Sequence, residues 1–196
     1  MGIRTEVVPV AEIFDLRWAV LRAGMPRESA VFAEDSGPEV FHIAAYDGDA
    51  PGRARVLGCV TFFPDPLPPR AAAAAASGAV RRGAADGGAR GGGPGTAYRF
   101  RGMASAPGVR GEGYGAAVLR AGLAEAAARG ASAVWCNGRS PARGFYEHHG
   151  FTAVGEEFVI ETAGPHYVFA RVPVPPRDRS GGSAGPRAAG RAGGCR

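Results

Sequence analysis

The sequence of 196 residues contains no lysine and no glutamine, so all 23 of its basic side chains are arginines. The absence of lysine excludes a P-loop nucleotide site, because that motif needs a lysine to contact the phosphates. Cysteine is scarce as well: Cys59, Cys136 and Cys195 are far apart and form no Cys-x-x-Cys pair. We therefore expect neither a disulfide framework nor a zinc site, and we predict that no metal is bound.

Long apolar runs and targeting signals are also missing. No stretch approaches the roughly 20 apolar residues that a membrane-spanning helix requires. The first residues, MGIRTEVVPV, lack the charged and then apolar order of a signal peptide, and Glu6 stands where N-myristoylation needs Ser or Thr. These features predict a soluble cytoplasmic protein without a membrane partner.

The formal net charge of +5 comes from two low-complexity segments. Residues 70–95 contain four arginines and one aspartate, and residues 177–196 contain five arginines and one aspartate. The remaining sequence is slightly acidic. Neither segment contains an aromatic residue, although nucleic-acid-binding surfaces combine basic and aromatic side chains. We therefore expect no nucleic acid partner. An arginine-rich nucleic-acid-binding protein, which would use these two segments, stays open as an alternative.

Hydrophobic periodicity and turn residues predict a single mixed α/β domain with the order β-α-β-β-β-α-β-α-β-β. The pattern is interrupted by PDPLPPRAAAAAASGAVRRGAADGGARGGGPG, which has too few apolar side chains to offset the entropy of ordering. We expect residues 1–67 and 96–173 to form the two parts of one domain. Residues 68–95 are predicted to be a disordered insertion, and residues 174–196 a disordered tail.

The stretch GVRGEGYGAAVL, residues 108–119, places four glycines between a predicted strand and a predicted helix. Such a loop attracts phosphate, because it combines unpaired amide hydrogens with the positive end of a helix dipole. GEGYGA also fits the Gly-x-Gly-x-x-Ala pattern of a dinucleotide site, but the next strand, SAVWCN, has no carboxylate to hold a ribose. On this stretch alone, a tight turn, a dinucleotide site and another phosphate site all stay open.

Two motifs together make the sequence resemble the GNAT superfamily of acyl-CoA-dependent N-acyltransferases. Arg110, Gly113 and Gly115 match its phosphate-binding signature, Arg/Gln-x-x-Gly-x-Gly/Ala. The second signature is an asparagine followed by a helix, and VWCNGRSPARGFYEHHGF matches it with Asn137, Phe145, Tyr146, Glu147, Gly150 and Phe151. The resemblance is strong over residues 97–172 and rests on element order alone over residues 5–63.

The resemblance implies a splayed central sheet, acetyl-CoA as cosubstrate and direct transfer of an acetyl group to a primary amine. Residues 96–173 would then be the acyl-CoA-binding part of the domain. Tyr146 matches the family position that protonates the departing thiolate, and Glu112 must point away from the pyrophosphate. The implied cofactor contacts are Met103, Ala104, Ser105, Val109, Arg110, Gly111, Glu112, Gly113, Tyr114, Gly115 and Asn137.

The sequence defines the base and the acceptor less well. His166 in GPHYVF is the candidate general base, and Glu157 and His42 are weaker candidates. The acceptor is expected to be a small-molecule or peptide amine, and the protein a monomer or homodimer. Acidic residues in segment 27–39 could attract a cationic amine, although a solvated acidic loop explains them equally. Two further functions stay open, a catalytically silent acyl-CoA sensor and a nucleotide-dependent oxidoreductase.

Overall fold

A mixed β-sheet forms the centre of the computed structural model, which describes residues 2–48, 55–80, 82–85 and 96–174. Its strands are β1 (Ile3–Val8), β2 (Phe41–Asp47), β3 (Gly58–Pro64), β4 (Arg82–Ala85), β5 (Ala97–Ser105), β6 (Ala133–Arg139), β7 (Thr152–Ile160) and β8 (Gly164–Val174). The longer strands have the order β1-β2-β3-β5-β6-β8-β7, and the short β4 pairs with the end of β8. Neighbours are antiparallel, except that β5 runs parallel to β6 and β4 runs parallel to β8.

The α-helices of the described residues are α1 (Val10–Leu21), α2 (Pro69–Ala76), α3 (Tyr114–Ala128) and α4 (Arg143–His148). Short 3-10 segments occupy Arg27–Ala30, Ala33–Ser36, Pro107–Val109 and Ser140–Ala142. None of the helices in these ranges is both long and apolar enough to cross a membrane.

Helices α1 and α3 cover opposite faces of the sheet, because successive side chains of a strand point to opposite sides. On β2, Ile43 packs in the cluster that contains Val118 and Leu119 of α3. The next residue, Ala44, packs in the cluster that contains Ile13 of α1. The sheet is therefore buried on both faces.

The predicted mixed α/β class and the predicted order of elements are confirmed. Within the expected insertion, α2 and β4 are additions to the predicted order.

The prediction of disorder is wrong for residues 68–80. Pro69 lies in the first turn of α2, Ala71 is fully buried, and Val80 packs beside Trp135 and Ala170. A short alanine helix is marginal alone, but this one gains stability by packing against β7 and β8. Residues 81 and 86–95, and residues 175–196 of the predicted tail, lie outside the described residues.

Candidate active site

Strands β5 and β6 pair over only three positions and then separate. Their register joins Ala97 with Ala133 and ends at Arg99 with Trp135. Beyond these residues, β5 continues along β3 as far as Ser105, while β6 continues along β8. A gap therefore opens in the middle of the sheet, next to the loop that follows β5.

An irregularity in β5 turns the strand as the gap opens. The register between β3 and β5 shifts between Cys59 and Thr61, and Gly102 has a φ of +66°. A Cβ at Gly102 would lie 2.7 Å from Cε2 of Phe32 and 3.2 Å from Cδ of Arg17. Only glycine combines this left-handed backbone with the close approach of the two side chains.

The glycine loop follows β5 and leads directly into α3. Gly111 and Gly113 have φ values of +85° and +95°, and Gly113 is the N-cap of α3. No side chain caps this helix, so its first amide hydrogens are open to a ligand. The predicted loop is thus at the N-terminus of a 15-residue helix, where backbone dipoles favour an anion.

A groove of about 480 Å³ runs along this loop. It brings together seven of the predicted cofactor-contacting residues with six others on α3 and at α4. The predicted ones are Met103, Ala104, Ser105, Arg110, Gly111, Gly113 and Gly115, and the others are Ala116, Arg120, Ala142, Phe145, His148 and His149.

Four predicted cofactor contacts do not line this groove: Asn137 of β6 and three residues in or next to the glycine loop. Val109 packs partly buried against both core clusters around α1 and α3. Tyr114 is buried in the core. Glu112 is exposed and does not line the groove. The family resemblance implied that its negative charge points away from the pyrophosphate. The backbone amides of Val109 and Glu112 are also occupied, since they donate to the carbonyls of Ala106 and Val109.

Sequence reasoning missed the basic side chains that α3 and α4 add to the groove. Arg120 lies one helical turn after Ala116, and this spacing of four places both on one face of α3. His149 contacts Phe145 edge to face, with 4.6 Å between ring centroids. Burial lowers the pKa of His149, and His148 and Arg120 lower it further. The positive charge of the groove therefore comes from Arg110 and Arg120.

A second cavity of about 360 Å³ lies in the gap between β5 and β6. Met103 and Ala142 line both the groove and this cavity, so the two spaces adjoin. The remaining lining residues are Leu21, Phe100, Arg101, Gly102, Cys136, Asn137, Arg139, Tyr146 and His166. The structure thus brings the predicted residues Asn137, Tyr146 and His166 to one cavity.

Tyr146 is held in place by aromatic packing. Its ring stacks on Phe169, with 4.6 Å between centroids and an interplanar angle of 29°, and it meets Phe151 edge to face. Burial raises the pKa of the Tyr146 hydroxyl, and the neighbouring Cys136 raises it further. Burial likewise raises the pKa of the Cys136 thiol. Both groups are protonated at neutral pH and share a side-chain hydrogen bond.

His166 is buried and has one ring nitrogen fixed by the backbone. Its Nδ1 lies 2.8 Å from the carbonyl oxygen of Gly164. Because a carbonyl only accepts hydrogen bonds, Nδ1 carries the proton in the neutral ring. Nε2 is then free to accept a proton.

The weaker base candidates lie elsewhere. Glu157 is exposed beside a groove between α2 and β7. His42 is buried, and its Nδ1 lies 2.9 Å from Oγ1 of Thr61. Burial is the main cause that lowers the pKa of His42. Neither residue lines the cavity of Tyr146.

Two acidic side chains of segment 27–39 are neutralised by buried or half-buried arginines. Asp35 accepts two hydrogen bonds from Arg17, at 2.9 and 2.7 Å. Glu34 accepts hydrogen bonds from Arg101, the shorter at 3.1 Å. The guanidinium groups of Arg17 and Arg101 lie 4.1 and 4.0 Å from the ring centroid of Phe32. These contacts fix the segment beside the cavity and remove two of its charges as attractants for a cationic amine.

Comparison with known proteins shows the family to which the chain belongs. The acetyltransferase (GNAT) family model matches residues 10–151, which is more than half of the chain. The chain belongs to the GNAT family. This GNAT chain is 26% identical over 167 residues to the Bacillus subtilis (strain 168) protein named uncharacterized N-acetyltransferase YitI, over 85% of this chain and 93% of that protein.

Solved structures share the GNAT fold at low sequence identity. Escherichia coli ElaA superposes with a TM-score of 0.58 and 16% identity, over 87% of this chain and 99% of that one. Arabidopsis thaliana NAA60 in complex with acetyl-CoA superposes with a TM-score of 0.59 and 15% identity, over 86% and 97% of the two chains. The family match and these neighbours confirm the predicted resemblance and fold, and the GNAT protein is an acyltransferase.

Proposed function

We propose that this GNAT protein transfers an acetyl group from acetyl-CoA directly to a primary amine of a small molecule or peptide. The observation that carries the proposal is the junction of two spaces at the gap between β5 and β6. The groove of the glycine loop opens next to the cavity of Tyr146 and His166, and Met103 and Ala142 line both. A thioester held in the groove would meet an amine held in the cavity.

The groove suits coenzyme A. Backbone amides between Arg110 and Gly115 would bind the pyrophosphate, except that of Glu112, which donates to the carbonyl of Val109. Arg110 and Arg120 would add positive charge. The unpaired edge of β5 at Met103–Ser105 would hold the pantetheine arm as an extended partner, with Asn137 at its far end. The presence of acetyl-CoA in the NAA60 structure is consistent with this cosubstrate.

The chemistry needs one proton acceptor and one proton donor on the two sides of the thioester. His166 would take a proton from the acceptor ammonium through Nε2, and the free amine would attack the carbonyl carbon. The C–N bond forms and the C–S bond breaks, the sulfur takes the hydroxyl proton of Tyr146, and the attacking nitrogen releases its second proton to solvent. His166 and Tyr146 regain their starting states by proton exchange with solvent. The products are the amide and CoA, without a covalent enzyme intermediate.

Thermal-shift titrations with acetyl-CoA, CoA and NAD test the cofactor. A ligand at 100 times its dissociation constant stabilises a protein by about 2.7 kcal/mol, so acetyl-CoA and CoA should raise the melting temperature while NAD should not. Arg110→Ala should weaken this effect, whereas Arg55→Ala, an exposed arginine outside the groove, should not. Stabilisation by NAD alone would favour a nucleotide-dependent oxidoreductase.

Thiol-release assays with a panel of amines test the transfer. Release of CoA that depends on both acetyl-CoA and an amine is the expected result. Binding of acetyl-CoA without release by any amine would instead identify a silent acyl-CoA sensor. The acyl length, cytoplasmic location and monomeric or homodimeric state stay predictions.

A further inference from the structure

We infer that the acceptor is a small amino acid, that is, an amine that also carries a carboxylate, and that Arg139 binds this carboxylate. The inference rests on the proposed function, because it names the acceptor of the same site. It comes from the charges around the second cavity, which adjoins the groove of the glycine loop at Met103.

No carboxylate lines the second cavity in the described part of the chain. Its charged or titratable lining groups are Arg101, Arg139 and His166, together with the protonated Cys136 and Tyr146. An acceptor with a second ammonium group would find only positive or neutral groups around it. The lining therefore disfavours polyamines and favours a ligand with a negative group.

The two arginines of the cavity differ in their partners. Arg101 is balanced by Glu34 at 3.1 Å and stacks on Phe32. For Arg139, the described residues provide neither an ion pair nor a hydrogen bond. The charge of Arg139 is the one that a ligand can neutralise.

The strand register places no acidic side chain opposite Arg139. Arg139 lies opposite His166 on β8, and His166 lies opposite Phe158 on β7. Side chains directly opposite each other on adjacent strands share one face, so Arg139 and His166 project from the same side of the sheet. The face beside Arg139 thus carries an imidazole and an aromatic ring instead of a carboxylate.

This juxtaposition places a carboxylate-binding group beside the candidate base. A guanidinium forms two parallel N–H···O hydrogen bonds with a carboxylate, and this geometry orients the ligand as well as binding it. A carboxylate on Arg139 would direct the amine of an amino acid toward the neighbouring Nε2 of His166. The cavity of about 360 Å³ is near the lower end of ligand-pocket volumes, which suits a small acceptor.

Matched acceptors test the inference. Thiol release is measured with amino acids, their carboxamides and the corresponding decarboxylated amines, at saturating acetyl-CoA. A hydrogen-bonded charge contributes about 1.5–3 kcal/mol, so kcat/KM should be about 10- to 100-fold higher for the acid than for the amide. Equal or faster turnover of amides or polyamines would overturn the inference and leave the acetyltransferase proposal standing.

Variants assign the preference to one side chain. Arg139→Ala should raise the KM for the amino acid and collapse the acid-to-amide ratio toward one, while the KM for acetyl-CoA stays the same. Arg139→Lys should restore part of the ratio. Arg143→Ala, which removes an exposed arginine paired with Glu147 outside both cavities, should change neither. An unchanged ratio in Arg139→Ala would contradict the role of Arg139.

A binding measurement separates the two proposals if no amine is acetylated. Calorimetry on the CoA-saturated protein compares the binding of each amino acid with that of its amide. Acid-selective binding that is lost in Arg139→Ala, without thiol release, would refute the transferase and support only the carboxylate-binding role of Arg139. Binding without selectivity would refute the inference.

Discussion

The ring of Tyr146 occupies the space in which a side chain on Gly138 would lie, since a Cβ at Gly138 would overlap Cε2 of Tyr146. The same Cβ would lie 2.6 Å from Cδ2 of Phe169, on which Tyr146 stacks. Gly138 therefore sets the position of the candidate acid from the strand below it.

Gly138→Ala should displace the Tyr146 ring and lower kcat. Overpacking of this kind should also reduce the free energy of unfolding by about 1–3 kcal/mol. Steady-state kinetics and denaturant unfolding measure the two effects. The matched control is Gly144→Ala on α4, where an added Cβ meets no atom within 4 Å. An equal loss of kcat in Gly144→Ala would show that activity depends on any change in this region of α4, rather than on the position of the Tyr146 ring.

Tyr146→Phe should lower kcat by about 100-fold, because the sulfur loses its proton donor while the aromatic packing is kept. The dissociation constant of acetyl-CoA, measured by calorimetry, should change little. Tyr167→Phe removes a hydroxyl outside both cavities and serves as the control. Full activity of Tyr146→Phe would remove Tyr146 from the proposed mechanism.

Asp35→Ala should destabilise the protein by about 3–5 kcal/mol, because it leaves the fully buried Arg17 without its carboxylate. Asp15→Ala breaks the exposed pair with Arg27 and should cost about 0–1 kcal/mol. Urea unfolding at pH 7 measures both values. Equal losses of unfolding free energy in the two variants would mean that burial of the Arg17–Asp35 pair does not determine its contribution to stability.

Stability should decrease as the pH falls from 7.5 to 5. Burial lowers the pKa of His42 and His149 below the value of about 6.5 expected in the unfolded chain. The unfolded state therefore binds more protons, and the contribution of both groups is complete above pH 6.5 and is lost toward their lower folded pKa. Melting temperatures across this range should fall less steeply in His42→Asn. A slope that this substitution leaves unaltered would exclude His42 as a source.

Local patterns predicted much of the site, whereas contacts distant in sequence were not predictable. The glycine loop and the FYE helix are short motifs, and each is found where its spacing placed it. The pairs of Arg17 with Asp35 and Arg101 with Glu34 join residues 18 and 67 positions apart, and no periodicity indicates such partners. The burial of Ala71 was not predicted for the same reason. The composition of α2 gives no indication of β7 and β8, the strands against which the helix packs.

The separation of β5 from β6 leaves a free backbone edge in the interior of a sheet rather than at its rim. Among the described strands, none pairs with this edge of β5 between Phe100 and Ser105. Amide protons that face the opening should therefore exchange with deuterium faster than those that face β3. Any extended ligand that lies there completes the hydrogen-bond ladder. Coenzyme A bound as proposed would therefore make the centre of the molecule more rigid than it is in the free protein.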